Sequence, residues 1–312
     1  LPSEPADAID VLHRSLPSES EAAEWTGMAG FILMPHGIYV SRHGLGCFEE
    51  SMQLQYEITK RFTSEFSIRA FIAGEYERTM ERLARWAHDP NEHVRRLVSE
   101  GTRSRLPWAA RLPMFQSDPH PVVELLELLK DDPSGYVRRS VANNLNDIAK
   151  DNPDVTIGVA KDWYSDDASP ERKTLVRHGL RTLIKQGDPR ALAVLGYAET
   201  SAIKLSDFTA TPEEPMIGES VRVAVVATNT TDKSVRLLID FAIDFVKANG
   251  TTSRKVFKGG EFELGPQASE SIAKTISVRQ HTTRTHYPGV HDVYALVNGS
   301  TNSIGSFTLL PA

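Results

Sequence analysis

One cysteine among 312 residues, and no apolar run near the length of a bilayer span, set the first limits on this chain. The lone Cys47 excludes an intramolecular disulfide and favours a reducing compartment. No charged n-region leads into an apolar h-region at the N-terminus, so a cytoplasmic protein with no membrane partner is expected. The ten histidines show no ligand spacing such as HExxH, which leaves no metal site and no cofactor in the expectation. An excess of positive charge is missing too, since 35 basic against 41 acidic residues give a net charge of −6. A polyanionic partner would then have to be met by one face and not by the global field. From Ser201 onward the balance is 11 against 11, so the acidic excess, 30 against 24, lies in the first 200 residues. Much of it sits in helix starts and turns (Glu19, Glu21, Glu24, Asp131, Asp132, Asp166, Asp167), where a carboxylate favours the helix N-terminus.

What is present is a repeat. DPNEHVRRLVSEG from Asp89 to Gly101 returns as DPSGYVRRSVANN from Asp132 to Asn144, 43 residues later. That period belongs to paired-helix repeats that stack into an α-solenoid. In each copy Asp-Pro opens a turn and an amphipathic helix follows. Helical spacing continues through MERLARWAHD, PVVELLELLKDD, VTIGVAKDWYS and ERKTLVRHGLRTLIKQGD. The N-terminal segments DAIDVLHRSL, EWTGMAGFILM and CFEESMQLQYEITKRF read as helices as well, with MAGFILM apolar enough for a buried one. Trp86 and Trp163 lie in apolar helical surroundings and read as core.

After Ala202 the hydrophobic period falls from near four to two. Phe241, Ile243 and Phe245 alternate with Asp240, Ala242 and Asp244, and Asn249-Gly250 supplies a hairpin turn. About seven short strands in roughly 110 residues suit an immunoglobulin-like sandwich, here without the Cys…Trp…Cys signature. The expected architecture is therefore a helical-repeat domain over residues 1–201 and a β-sandwich over residues 202–312. The sequons at Asn229, Asn249 and Asn298 read as turn and loop chemistry.

In the helix of the second copy, Val137, Val141, Leu145 and Ile148 form an apolar stripe, and Arg139, Asn143 and Asp147 a polar one. The 43-residue offset places Arg96 and Glu100 beside Arg139 and Asn143. A further offset of 35 adds Thr174, His178 and Thr182, and one position round lies a basic stripe of Arg177, Arg181 and Lys185. Such stripes could line one surface for a polyanion, or be no more than the solvated face of a solenoid. Asn143-Asn144 and Glu100-Gly101 break helix propensity without local reward, which favours a site.

The runs FTSEFSIRAFI (62–72), HVRRLVSEGTRSRLPWA (93–109), YVRRSVANNLNDIAKDNPD (136–154) and VRHGLRTLIKQGDPRAL (176–192) resemble the HEAT-like-repeat DNA alkylation repair glycosylases, and within them the AlkC branch. The resemblance runs from about residue 5 to residue 200. A C-terminal immunoglobulin-like domain resembles one subgroup of that branch. The chain departs from it at Ile68-Arg69-Ala70-Phe71-Ile72, where the family carries a proline-containing IRPFL.

The resemblance implies a monofunctional glycosylase in the bacterial cytosol that removes cationic N3-methylated bases (3-methyladenine, 3-methylcytosine) from double-stranded alkylated DNA. It implies a monomer that works without flipping the base into a pocket, unlike most glycosylases. It carries the catalytic site onto Asp147, Glu100, Glu65 and Trp108. Asp147 would stabilise the oxocarbenium-like sugar and position water, Glu65 and Glu100 would add negative potential, and Trp108 would offer a π-face. Arg96, Arg103, Arg139, Asn143, Arg177, His178, Arg181 and Lys185 would meet the DNA. So would Arg279 and Arg284; the basic stretches TSRKVFK and VRQHTTRTH, the second of which holds both, are read as loops that make the sandwich a clamp. His281 and His286 belong to the same second stretch. Read without the resemblance, Glu65 could be a helix-start carboxylate, Glu100 and Asp147 could be salt-bridged to Arg96, Arg103 or Arg139, and Trp108 could be core. A non-catalytic repeat scaffold, or a binding module built on the sandwich, are the competing functions.

Overall fold

The two related segments build the same turn twice. Asp89 Oδ1 accepts from the Asn91 amide and Asp132 Oδ1 from the Ser134 amide, both at 2.8 Å. Asn91 and Ser134 then cap the helices that follow by accepting from the amides of His93 and Tyr136. Arg95 and Arg138 each donate to the two carbonyls of their own Asp-Pro turn. Arg95 also forks onto the Asp132 carboxylate at 2.6 and 2.9 Å, which ties one repeat to the next. Polar backbone that a packed turn would leave without a partner is thereby satisfied.

The computed structural model describes residues 1–198, 200–280 and 285–312. Helices fill its first part: α1 (Pro5–Arg14), α2 (Glu19–Ala23), α3 (Met34–His43), α4 (Phe48–Thr59), α5 (Ile68–Gly74), α6 (Tyr76–Trp86), α7 (Glu92–Gly101), α8 (Pro113–Ser117), α9 (His120–Leu129), α10 (Gly135–Asp151), α11 (Pro153–Trp163), α12 (Pro170–Gly179), α13 (Arg181–Gln186) and α14 (Pro189–Val194). The α10 stripe of Val137, Val141, Leu145 and Ile148 is fully buried, and α10 packs on both α7 and α12. Trp86 and Trp163 are core. The segment MAGFILM differs from expectation. Ala29–Leu33 is a short 3₁₀ helix with Met28 and Ile32 exposed, because its tighter winding buries Leu33 and leaves the other apolar side chains outward.

Seven strands follow: β1 (Ile203–Thr211), β2 (Ser220–Asn229), β3 (Val235–Val246), β4 (Thr252–Leu264), β5 (Ser269–Ser277), β6 (Gly289–Val297) and β7 (Ser300–Leu309). They form two antiparallel sheets in the orders β1-β2-β5 and β4-β3-β6-β7. Val221, Val223 and Val225 of one sheet share a core with Leu237, Ile239, Phe241, Ile243 and Phe245 of the other, so the period of two in the sequence is the inward face of a sandwich. Gly250, at φ +77, closes the β3–β4 hairpin.

The chain divides into two compact units, Leu1–Thr182 and Leu183–Ala312. Within the second, the residues after α14 join the sandwich: Ala198 N donates to Arg236 O at 2.9 Å and Asn298 Nδ2 to Ala198 O at 2.6 Å. The change from helical to strand period at Ala202 thus falls inside that unit.

Candidate active site

Five ion pairs link four segments of the helical unit into one chain of alternating charge. Glu65, ahead of α5, accepts from Arg96 of α7 at 2.7 Å. Arg96 lies 3.6 Å from Glu100 of the same helix, and Glu100 accepts from Arg103 at 2.6 Å. Arg103 Nε reaches Asp147 of α10 at 2.8 Å, and Lys150 donates to the other Asp147 oxygen at 2.8 Å. Spacing explains the links within a helix, since residues three or four apart share a face. Repeat stacking explains the links between helices.

Asp147 is the most enclosed member, its side chain 1 % exposed. Arg103 is buried as well. Burial opposes its charge, yet Glu100 and Asp147 outweigh that and raise its pKa above the ordinary arginine value. Arg103 was expected at the DNA backbone; instead its guanidinium is spent on two carboxylates inside the site. Glu65 and Glu100 are likewise paired with Arg96, which reduces the negative potential expected of them. Around the pairs, Ser99 donates to Ser140 (2.7 Å), Ser140 donates to Glu100 (2.6 Å), and Arg96 lies over the Tyr136 ring at 5.3 Å. Glu100 therefore meets Ser140, one turn before the Asn143 that the 43-residue offset had placed beside it.

Trp108 is 91 % exposed, so it is not core. Its φ of +64 puts a bulky residue in the left-handed region, an outlier that persists only where surrounding structure enforces it. Two residues near it went unnoticed in the sequence. Arg69 is buried beneath the loop that bears Trp108, and burial together with the like charge of Arg103 pushes its pKa down to about 10. Arg105, on that loop, forks onto Asp151. A signal for Arg69 existed: a charged residue inside the apolar run IRAFI.

The propensity breaks at 101 and 144 have packing reasons. A Cβ at Gly101 would lie 2.6 Å from the Ile68 side chain, and Asn144 donates to Ser99 O and Thr102 Oγ1. Ala70, where the family has proline, donates its amide to Ser67 O at 3.2 Å, a bond proline cannot make.

Beside the ion chain, Arg139, Ala142, Thr174 and His178 line a cleft of about 320 Å³ between α10 and α12. Asn143 Oδ1 accepts from Arg181 and from His178 Nε2, each at 3.1 Å, which fulfils the 35-residue offset. Burial first, then the charges of Arg181 and Arg139, hold His178 below its ordinary pKa. The basic stripe is not continuous: α12 ends at Gly179, α13 starts at Arg181, and Arg177 and Lys185 lie on different helices.

In the sandwich, TSRKVFK is not a loop but the start of edge strand β4, where Arg254 pairs with Asp244. His286 is buried against the Phe245 ring at 5.0 Å and is no part of a basic surface. Arg279 is exposed, its Nε donating to Gly218 O. Arg284 and His281 lie outside the described residues. No helix of the described residues is long and apolar enough to cross a membrane.

Residues 204–311 match the family described as "Uncharacterised protein YhaZ, C-terminal Ig-like domain". A curated relative, YhaZ of Bacillus subtilis (strain 168), is 40% identical over 299 residues, which cover 96% of this chain and 80% of that protein. Among solved structures, the alkylpurine DNA glycosylase AlkC of Pseudomonas fluorescens, bound to DNA containing an abasic site analog, is 37% identical with a TM-score of 0.76. The match covers 98% of this chain and 87% of that one.

Proposed function

The chain belongs to the AlkC branch of the HEAT-like-repeat DNA glycosylases, and we propose from that membership that it is a DNA glycosylase for alkylated bases. Within that class it takes cationic N3-methylated bases, 3-methyladenine and 3-methylcytosine. The observation that carries the reading is the convergence of Glu65, Glu100 and Asp147 in one connected chain of ion pairs within the helical unit.

A base that already bears positive charge leaves as a neutral molecule, taking the electrons of the N-glycosidic bond. The sugar left behind is oxocarbenium-like, and water adds to its anomeric carbon and loses a proton. The protein's task is then to stabilise positive charge on the sugar and to direct that water, which carboxylates do in glycoside hydrolysis. Asp147 is assigned to the sugar. A carboxylate has about four lone-pair directions, and Arg103 and Lys150 occupy two, so capacity to accept from water remains. Glu100 and Glu65 hold Arg96 and Arg103 in place, which keeps the Asp147 carboxylate oriented. Trp108 offers its face to the cationic base or the sugar, and the reaction needs no flipped-out base.

Arg139, His178, Arg181 and Asn143 suit a phosphate backbone, joined by Arg177, Lys185 and, from the sandwich, Arg279. The enzyme acts as a monomer on double-stranded DNA in the cytoplasm, with the sandwich as a clamp. The scaffold alternative draws on one fact, that every carboxylate of the site is paired. Incubation with methylated duplex DNA, followed by chromatography of the released bases, tests the proposal. Release of 3-methyladenine is the expected result, and a folded protein that binds DNA and releases no base would favour the scaffold.

A further inference from the structure

The loop that follows α7 enters past Gly101 and returns toward α8 at Leu112, with Trp108 outward and left-handed between them. One side chain joins its entry to its exit. From α5, buried Arg69 donates through Nη1 to the carbonyls of Gly101 (3.0 Å) and Arg103 (2.7 Å), and through Nη2 to that of Ala110 (2.6 Å). The other ties fasten different points: Leu112 N donates to Ser104 O at 3.2 Å, and Arg105 is held by Asp151. We propose that Arg69 is a positioning residue, whose planar fork holds the loop so that Trp108 stands in its outward, left-handed conformation. This rests on the reading of Trp108 as the residue that faces the lesion.

The shape of the group matters more than its charge. A guanidinium presents its nitrogens in a fixed plane and can bond diverging carbonyls at once, whereas an ammonium is a point donor on a flexible stem. Without the fork Gly101 and Arg103 lose their direct link to Ala110, and the Leu112–Ser104 bond ties the loop only at its base, away from Trp108. A left-handed tryptophan is the first place where the strain would be released. Arg69 does not reach the DNA; it acts through Trp108.

The test labels the whole protein with 5-fluorotryptophan, whose four resonances report the four tryptophans. The Trp108 signal is the one absent from Trp108→Phe. In Arg69→Lys and Arg69→Gln that resonance should shift and broaden while the other three stay in place. Single-turnover excision by Arg69→Lys should fall by up to about 100-fold, the scale of a misplaced group, with DNA affinity little changed. In a Trp108→Ala background the same substitution should cause no further loss. An unmoved Trp108 resonance in both variants overturns the proposal, as does an equal loss with and without Trp108. Loss of all four resonances in both variants also overturns it, since Arg69 would then hold the fold and not the loop. Wild-type excision by Trp108→Ala would sink the lesion-facing reading instead, and the resonance would still decide whether Arg69 holds the loop.

Discussion

Asp147→Asn separates chemistry from scaffolding because it removes a charge and almost no volume. In the native protein Oδ2 accepts from Arg103 and Oδ1 from Lys150, both at 2.8 Å. An amide keeps a single acceptor. If it stays with Arg103, the lost partner is Lys150, whose side chain is 39 % exposed and can turn to water. A part-exposed pair of this kind contributes about 0–1 kcal/mol. Arg103 keeps Glu100, so the charge left buried is still compensated. The folding loss is then about 1–2 kcal/mol, well short of the roughly 3–5 kcal/mol for removing a buried partner outright, which Asp147→Ala should approach.

The effect on the reaction is larger. Loss of one oriented group at the site of developing charge raises a barrier by about 2.7–4 kcal/mol, on the order of 10²–10³ in rate. Single-turnover release of 3-methyladenine, read beside thermal unfolding and DNA affinity, distinguishes the two. A drop of that size with affinity retained and modest destabilisation is expected. If Asp147 were only a strut, the folded fraction at 25 °C would barely change and the excision rate would stay at wild type. That result refutes the assignment.

Trp108→Gly should stabilise the fold by up to about 1 kcal/mol, since glycine tolerates the left-handed region, yet slow excision; a lowered melting temperature would show that Trp108 packs after all. Replacing Arg139, Arg181 and Lys185 by alanine should flatten the salt dependence of DNA binding by about 0.9 in log-log slope for each phosphate no longer neutralised. An unchanged slope and affinity would make them a solvated face. The sandwich should lose stability in acid through His291, which is fully buried. Burial holds its pKa below 6.5, outweighing the raising effect of the Asp244 and Tyr287 carbonyls and of Asp292. A depressed imidazole contributes stability that is whole above pH 6.5 and declines as the pH falls through the folded-state value. Calorimetry of His291→Gln should show a shallower acid slope than wild type, and an identical slope would clear His291 of the effect.

The 43-residue offset made the solenoid legible because a repeat writes its turn chemistry twice: Asp89 and Asp132, Asn91 and Ser134, Arg95 and Arg138 do the same work in register. The sandwich was legible from Phe241, Ile243 and Phe245, whose alternation has no helical interpretation. Tertiary direction was not. TSRKVFK looks like a loop because it is basic and follows the Asn249-Gly250 turn, but an edge strand tolerates lysine on a side that no neighbour pairs. His286 sits in a polar stretch and only the folded chain shows its ring on Phe245. The basic stripe assumed one helix through Leu180, whereas the helix ends at Gly179, a glycine that close packing calls for, since a Cβ there would lie 2.8 Å from Leu145.

The ion chain joins the paired and the catalytic readings of its carboxylates. Buried ion pairs are weak sources of stability, because desolvation offsets most of their attraction, and apolar replacements often serve a fold as well. A plain scaffold gains little from Glu65, Arg96, Glu100, Arg103 and Asp147 together. A glycosylase has a use for them. The charges alternate, so on the proposed reading each carboxylate is held by a cation and need not reorient when positive charge appears on the sugar. A short-lived cation is stabilised most by the nearest charge, and in the role proposed for Asp147 the bonds from Arg103 and Lys150 to its two oxygens would keep that charge from turning away. Pairing is then what makes the carboxylate an oriented one.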